Sequence, residues 1–200
     1  MTAEWLEAIA ALGTCVVIGA SAVAALIQLR HMRVSNQLEA LLSLERDFRS
    51  EEIQYALRYV QSELPSQLEN PAYRKDLADI GFVDPRTHPE IVLCNWFSEI
   101  GTLLKHGLVT EPTFMDMFGR LIVYYWRHLE PVVAIMRRKR GDAQYHGFEF
   151  LAMRAKMWLE RYPSGIFPKH AGRAALHDPW REVDLLSDPA PRREERTRTT

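Results

Sequence analysis

The 200-residue chain has few of the residues that mark the most easily recognised protein classes. Its two cysteines are too few for a disulfide framework, and its 10 glycines and 11 prolines exclude collagen-like and low-complexity chains. The formal net charge is only −1, so the chain as a whole does not attract nucleic acid. A hydrophobic fraction of 47% excludes disorder along the whole chain. The length predicts about one folded domain.

Charge is absent from one long stretch, residues 8–29, which contains no Asp, Glu, Lys or Arg. A helix of these 22 residues is about 33 Å long, enough to cross the roughly 30 Å hydrocarbon core of a bilayer. The preceding residues carry Glu4 and Glu7 instead of the basic charge of a cleavable signal peptide, and the run lacks the polar face of an interfacial helix. We predict a transmembrane helix over 8–29, with a buried helix of a soluble core as the main alternative.

The charges on either side of this run predict its orientation. The short tail, residues 1–7, is acidic, whereas Arg30 and Arg33 follow the run directly. The cytoplasmic flank of a span carries the excess of Lys and Arg. We therefore expect the tail on the extracytoplasmic side of the cell inner membrane and the residues after the run in the cytoplasm. Small residues four apart, Ala20/Ala24 and Ser21/Ala25, would allow a homodimer through this single-pass anchor.

Beyond the anchor the apolar residues recur at helical spacing, and no strand-like alternation lasts more than a few residues. We predict an all-α protein in which residues 30–167 form a cytoplasmic bundle of about five helices. The helix that forms the anchor either continues unbroken past residue 29 or breaks near residues 35–36. Residues 168–200 are poor in apolar side chains and are predicted to be mostly disordered.

Local signals place the other helix ends. Ser50 is a predicted N-cap of a helix that stops near Pro65, and a short helix is expected within residues 73–82. The apolar stretch 91–108 should be the most buried soluble helix, ended by Gly107. The next helix opens after Thr110 and is kinked or divided by Pro131, and another runs from about residue 143 to 161.

Motifs for catalysis, cofactors and metals are not found. The chain has neither a G-x-S-x-G elbow nor a glycine-rich phosphate loop, and Cys94 is expected to be an inert buried thiol. His146 and Glu149 stand three apart on one helix, but a di-metal bundle needs a second such pair. The histidines are interpreted as surface or helix-end residues. We therefore assign no catalytic, cofactor-binding or metal-binding residue.

One polar pair stands out on the apolar stretch. Asn95 and Glu99 lie four residues apart, and a buried carboxylate must find a partner or shift its pKa. We interpret the pair as a buried polar clasp to a neighbouring Arg, Trp or backbone group. The alternatives are a pocket formed with Trp126 and an exposed pair.

A second cluster is the run of four basic residues Arg137, Arg138, Lys139 and Arg140 at a helix end. Favourable charge at a helix C-terminus explains such a run, and so does contact with anionic lipid headgroups. With Arg30 and Arg33, these residues are the candidate lipid contacts. Nucleic acid is disfavoured because no aromatic stacking platform accompanies them.

Several segments together resemble a bacterial family catalogued only as a domain of unknown function. They are N-W-F-S-E-I-G at 95–101, K-H-G at 105–107, Tyr125-Trp126 and residues 131–137. The resemblance covers roughly residues 5–160. It implies an inner-membrane protein with one N-terminal span and a small helical body, and it offers no reaction, cofactor or catalytic residue.

These patterns favour a membrane-anchored helical module that binds a protein partner or anionic lipid at the cytoplasmic face, and an enzyme is the less favoured interpretation. The alternative is a membrane-tethered enzyme or ligand sensor with a pocket near Asn95, Glu99 and Trp126.

Overall fold

The structure, a computed structural model, describes residues 3–187, which form helices and no strand. They divide into two compact units, one ending at Ile166 and the other beginning at Phe167. The all-α prediction is confirmed. The helices are α1 (Ala3–Phe48), α2 (Glu51–Ser62), α3 (Leu64–Glu69), α4 (Pro71–Leu77), α5 (Glu90–Lys105), α6 (Glu111–Arg140), α7 (His146–Arg161) and α8 (Arg181–Ser187).

Helix α1 runs unbroken through the point near residue 35 where a break was one expectation. Its 46 residues make it about 69 Å long. It contacts the body, which consists of α2–α7 and their connecting loops, through residues 34–48: Leu44 is buried, and the Phe48 ring stacks on Trp96 with centroids 5.6 Å apart. The N-terminal half of α1 therefore projects from the unit to which its C-terminal end belongs.

Two of the predicted boundaries between α2 and α4 are wrong. Ser50 does cap α2, its side chain accepting from the Ile53 N–H, but α2 ends at Ser62 instead of near Pro65. Pro65 lies in the first turn of α3, where its missing N–H costs nothing. The short helix starts at Pro71, two residues earlier than expected, because the Asn70 side chain accepts from the Ala72 N–H and caps it.

The core of the body forms where α5 crosses α7. A Cβ atom added to Gly101 would lie 1.9 Å from the carbonyl oxygen of Gly147, so the two backbones are in direct contact at this point. Next to the crossing, the rings of Phe97 and Phe148 stack with centroids 4.7 Å apart, and both are fully buried. Two glycines thus set the closest approach of the two helices.

Helix α6 spans the body as one 30-residue helix of about 45 Å. Pro131 lies inside it, so the expectation that this proline divides the helix is wrong. Pro131 is on the exposed side, where water can hydrate the backbone carbonyl that the proline leaves without a donor. The turn before α6 matches its prediction: Gly107 follows the last residues of α5 with a φ of 68°.

The second unit is described up to residue 187. It contains the short helix α8, and its side chains are exposed as far as their burial is described. Residues 188–200, the last 13 residues of the predicted disordered tail, lie outside the described residues.

Candidate functional site

The first candidate site is the exposed apolar surface of α1. Within residues 3–187, this is the one helix long and apolar enough to cross a membrane, as judged by length and composition over Leu12–Phe48. No residue in the most apolar 18-residue window of this helix is buried, so the alternative of a buried core helix is wrong. Its large apolar side chains are 51–70% exposed: Leu12, Val16, Val17, Ile18, Val23, Leu26, Ile27 and Leu29.

The two arginines that follow the apolar run, Arg30 and Arg33, are exposed on α1. They lie beyond the last apolar turn and before the residues of α1 that contact the body. Their position leaves both guanidinium groups open to a charged partner.

The four basic residues at the end of α6 are placed differently, and three of them bind within the protein. Arg137 forms an ion pair with Glu149 at 2.7 Å and also donates to the Gln144 carbonyl. Arg140 donates to the carbonyl of Gly81 at 2.9 Å, and Lys139 lies 3.4 Å from the Asp79 carboxylate.

These bonds give the basic run a structural role, since they join α6 to α7 and to the loop after α4. Arg138 is exposed. The Ile80 N–H bonded to the Asp79 carboxylate lowers the pKa of that group, and Lys139 lowers it further. Glu149, which the sequence analysis paired with His146, thus forms its ion pair with Arg137.

The predicted clasp at Asn95 and Glu99 is wrong. Both side chains are exposed on the outer face of α5, so neither needs a buried partner. Trp126 is half-buried on α6, edge-on to Phe148, and it lines a groove with residues of α6 and α7 only. The three residues therefore do not form one pocket.

The structure instead buries a polar cluster that the sequence did not indicate. Glu90, the first residue of α5, is 0% exposed, and His88 just before it is 1% exposed. The imidazole lies between two carboxylates, with Nδ1 3.0 Å from Glu90 Oε1 and Nε2 2.9 Å from Asp76 Oδ2. The Tyr73 hydroxyl donates to the same Glu90 oxygen at 2.6 Å. The Tyr59 hydroxyl lies 3.0 Å from the Tyr73 hydroxyl, within hydrogen-bond distance. We call these five residues the His88 cluster.

Burial and hydrogen bonds shift the pKa values of His88 and Tyr73 in the cluster. Burial acts to lower the pKa of His88, but its hydrogen bonds to Glu90 and Asp76 prevail and raise that pKa above 6.5. Burial, with the bond to Glu90, raises the pKa of Tyr73 far above its usual value, so this hydroxyl stays protonated and donates. In its charged form the imidazolium can donate to both carboxylates at once.

This arrangement suits a structural role, in which it joins α2, α4 and α5, better than a catalytic one. His88 and Glu90 are sealed from solvent, and Glu90 Oε2 has no hydrogen-bond partner in the described part of the chain. Cys94, one turn along α5, is fully buried as expected, and burial raises the pKa of its thiol. Among the described residues, no group of three or more His, Cys, Asp and Glu side chains has the arrangement to hold a metal ion.

Sequence reasoning missed the cluster because its members come from three helices and a loop. The interpretation of the histidines as surface or helix-end residues is wrong for His88, which is buried. One signal was available, an acidic residue at the very start of the most apolar soluble helix.

Comparison with known proteins agrees with the resemblance noted above. No curated protein and no solved structure matches the chain. A family model described as a domain of unknown function, DUF4760, matches residues 15–155, well over half of the chain. The protein therefore belongs to the DUF4760 family.

Proposed function

We propose that the protein is a single-pass membrane protein whose helical body works as an interaction module on the cytoplasmic face of the inner membrane. The observation that carries this proposal is the exposed apolar half of α1. Burying an apolar side chain is worth about 1.5–3 kcal/mol, and none of the large side chains between Leu12 and Leu29 gains this from the body. A bilayer would supply the missing apolar environment along the whole segment.

A permanent span is favoured over a cleaved signal sequence. Helix α1 continues without a break into the body, where Leu44 and Phe48 belong to the core. The family match also begins at residue 15, inside the apolar run. About two thirds of the run, residues 15–29, is therefore part of the family model, whereas a signal sequence is removed from the mature chain.

The flanking charges support the cytoplasmic location of the body. Glu4 and Glu7 precede the run, and the exposed Arg30 and Arg33 follow it, which is the asymmetry of a span with its C-terminal side inside. The free thiol of Cys94 also fits a reducing compartment. At the membrane surface, anionic lipid is the ligand class that these two arginines fit best.

The experiment combines membrane extraction with reporter fusions. The full chain should stay in the membrane pellet after alkaline carbonate washing. A cytoplasm-active fluorescent reporter at its C-terminus should be active, and a periplasm-active phosphatase there should be silent. Recovery of the chain in the carbonate supernatant would refute the span.

A charge-reversal variant tests the orientation separately. Replacing Arg30 and Arg33 with Glu should lower the fluorescent signal and raise the phosphatase signal, because the positive flank is lost. Arg138→Glu is the matched control, an exposed arginine at the far end of α6, and should leave both signals unchanged. Equal signals in all three proteins would contradict the orientation argument.

A further inference from the structure

The turn between α5 and α6 lies against α1 just beyond its apolar run. The Thr110 hydroxyl donates to the Gln37 side-chain oxygen at 3.0 Å. Val109 lines a shallow, mainly apolar groove together with Val34 and Leu38 of α1. These contacts set the position of the turn along the axis of α1.

That position corresponds to the headgroup layer in the proposed membrane arrangement. Val34 and Gln37 follow Leu29, the end of the uncharged run, by five and eight residues, which is about 8 and 12 Å along a helix. The polar layer on each side of the hydrocarbon core is about 5–8 Å thick. The turn thus lies at the height of the lipid headgroups or immediately beside them.

The chemistry of the turn suits this environment. The N–H groups of Gly107 and Leu108 bond the carbonyls of Leu104 and Leu103, a helix-ending arrangement that holds the turn in one conformation. Leu108 in this turn is 55% exposed. Lys105 and His106 beside it are exposed as well.

The neighbouring charges are also favourable. Glu111, the nearest acidic residue along the chain, is engaged by Arg154 through two bonds of 2.9 and 2.7 Å. On α1, Arg30 stands one turn before Val34 and shares its face, so its side chain lies on the side of the groove. The surface around Leu108 is therefore basic and apolar.

We propose that the Lys105–Leu108 turn is a second contact with the bilayer, in which Leu108 enters the interfacial layer and Lys105 meets anionic lipid headgroups. The proposal rests on the proposed function, since it takes α1 as the membrane span. With two points of contact, the body would be held at a fixed height and rotation above the bilayer. An apolar side chain flanked by basic residues is a typical interfacial combination.

The test places an environment-sensitive fluorophore at Leu108→Cys in the full chain, reconstituted into vesicles of phosphatidylcholine and phosphatidylglycerol. A Cys15→Ala background removes the exposed thiol, and Cys94 is buried. The matched control is Phe82→Cys. Phe82 is 89% exposed and lies one residue from Gly81, which binds the opposite end of α6 through Arg140.

The probe at position 108 should emit at shorter wavelength and be quenched by brominated lipid, whereas the probe at position 82 should behave as in water. Lys105→Glu should reduce the quenching at position 108 in the anionic vesicles. An unquenched probe at 108 in a chain that floats with the vesicles would overturn this inference alone. Equal quenching at both positions would also overturn it, because the body would then lie on the bilayer without a specific contact. A chain that does not float with the vesicles would refute the proposed function itself.

Discussion

Substituting alanine for Gly101 tests the claim that two glycines set the distance between α5 and α7. The added Cβ would lie 1.9 Å from the Gly147 carbonyl oxygen and 2.5 Å from its carbonyl carbon. Ordinary van der Waals contact begins near 3.4 Å, so the helices would have to part by about 1.5 Å. The obstructing atoms belong to the backbone, which cannot rotate away as a side chain can.

The expected loss of stability combines two destabilising effects and one stabilising effect. Overpacking a well-filled core costs about 1–3 kcal/mol, and a backbone clash lies at the upper end of this range. Parting the helices also loosens the Phe97–Phe148 stack, worth about 0.5–1.5 kcal/mol beyond its burial. Alanine recovers about 1 kcal/mol of helix propensity. We expect a net loss of about 3 kcal/mol, which lowers the melting temperature by roughly 10 °C.

The assay is thermal unfolding of the full chain in detergent, followed by near-ultraviolet circular dichroism, which reports aromatic packing in the body. Gly119→Ala is the matched control, because this glycine is also buried in a helix but its added Cβ would meet only side-chain atoms at 3.8–4.0 Å. The control should be as stable as the unmodified protein or slightly more so. If Gly101→Ala unfolds at the same temperature as the control, the two backbones do not touch as described.

Three further substitutions test the polar groups. Tyr73→Phe removes a donor from the buried Glu90 carboxylate and should cost about 1–3 kcal/mol in the same thermal assay, whereas the exposed Tyr55→Phe should cost nothing measurable. His88→Gln should also destabilise the protein. Because the folded-state pKa of His88 is raised, its contribution is complete below about pH 6.5 and is lost as the pH rises through the folded pKa, so the difference in melting temperature from the unmodified protein should shrink at alkaline pH. A gap that widens with pH would contradict the imidazolium assignment. Glu99→Ala should change stability by less than about 0.5 kcal/mol, and a larger loss would restore the clasp hypothesis.

Features with a local cause were predictable from the sequence. The uncharged run predicted a long apolar helix, because any helix of that composition is apolar on every side. Ser50 and Gly107 marked a helix start and a helix end through the backbone groups next to them. Pro65 misled because proline is favourable in the first turn of a helix as well as after its end, and the sequence does not distinguish the two.

Features that depend on contacts between helices were not predictable in this way. The apolar residues of 91–108 predicted the most buried soluble helix, yet Asn95, Glu99 and Thr102 form a polar stripe on it at spacings of four and three. That stripe is the solvent face. The His88 cluster could not be predicted, because the loop after α4 brings Asp76 and His88 together across twelve positions.

The continuity of α1 connects the proposed anchor to the stability of the body. A flexible linker would let the body diffuse freely beneath the bilayer, whereas this helix passes from its exposed apolar half to Leu44 in the core without a break. The body therefore cannot change its tilt relative to the proposed span without bending α1 or dissociating from residues 34–48 of α1. If α1 spans the membrane, its charged boundary at Arg30 sets the height of α2–α7 above the bilayer, and this fixed height is what would place the turn at Leu108 beside the membrane surface.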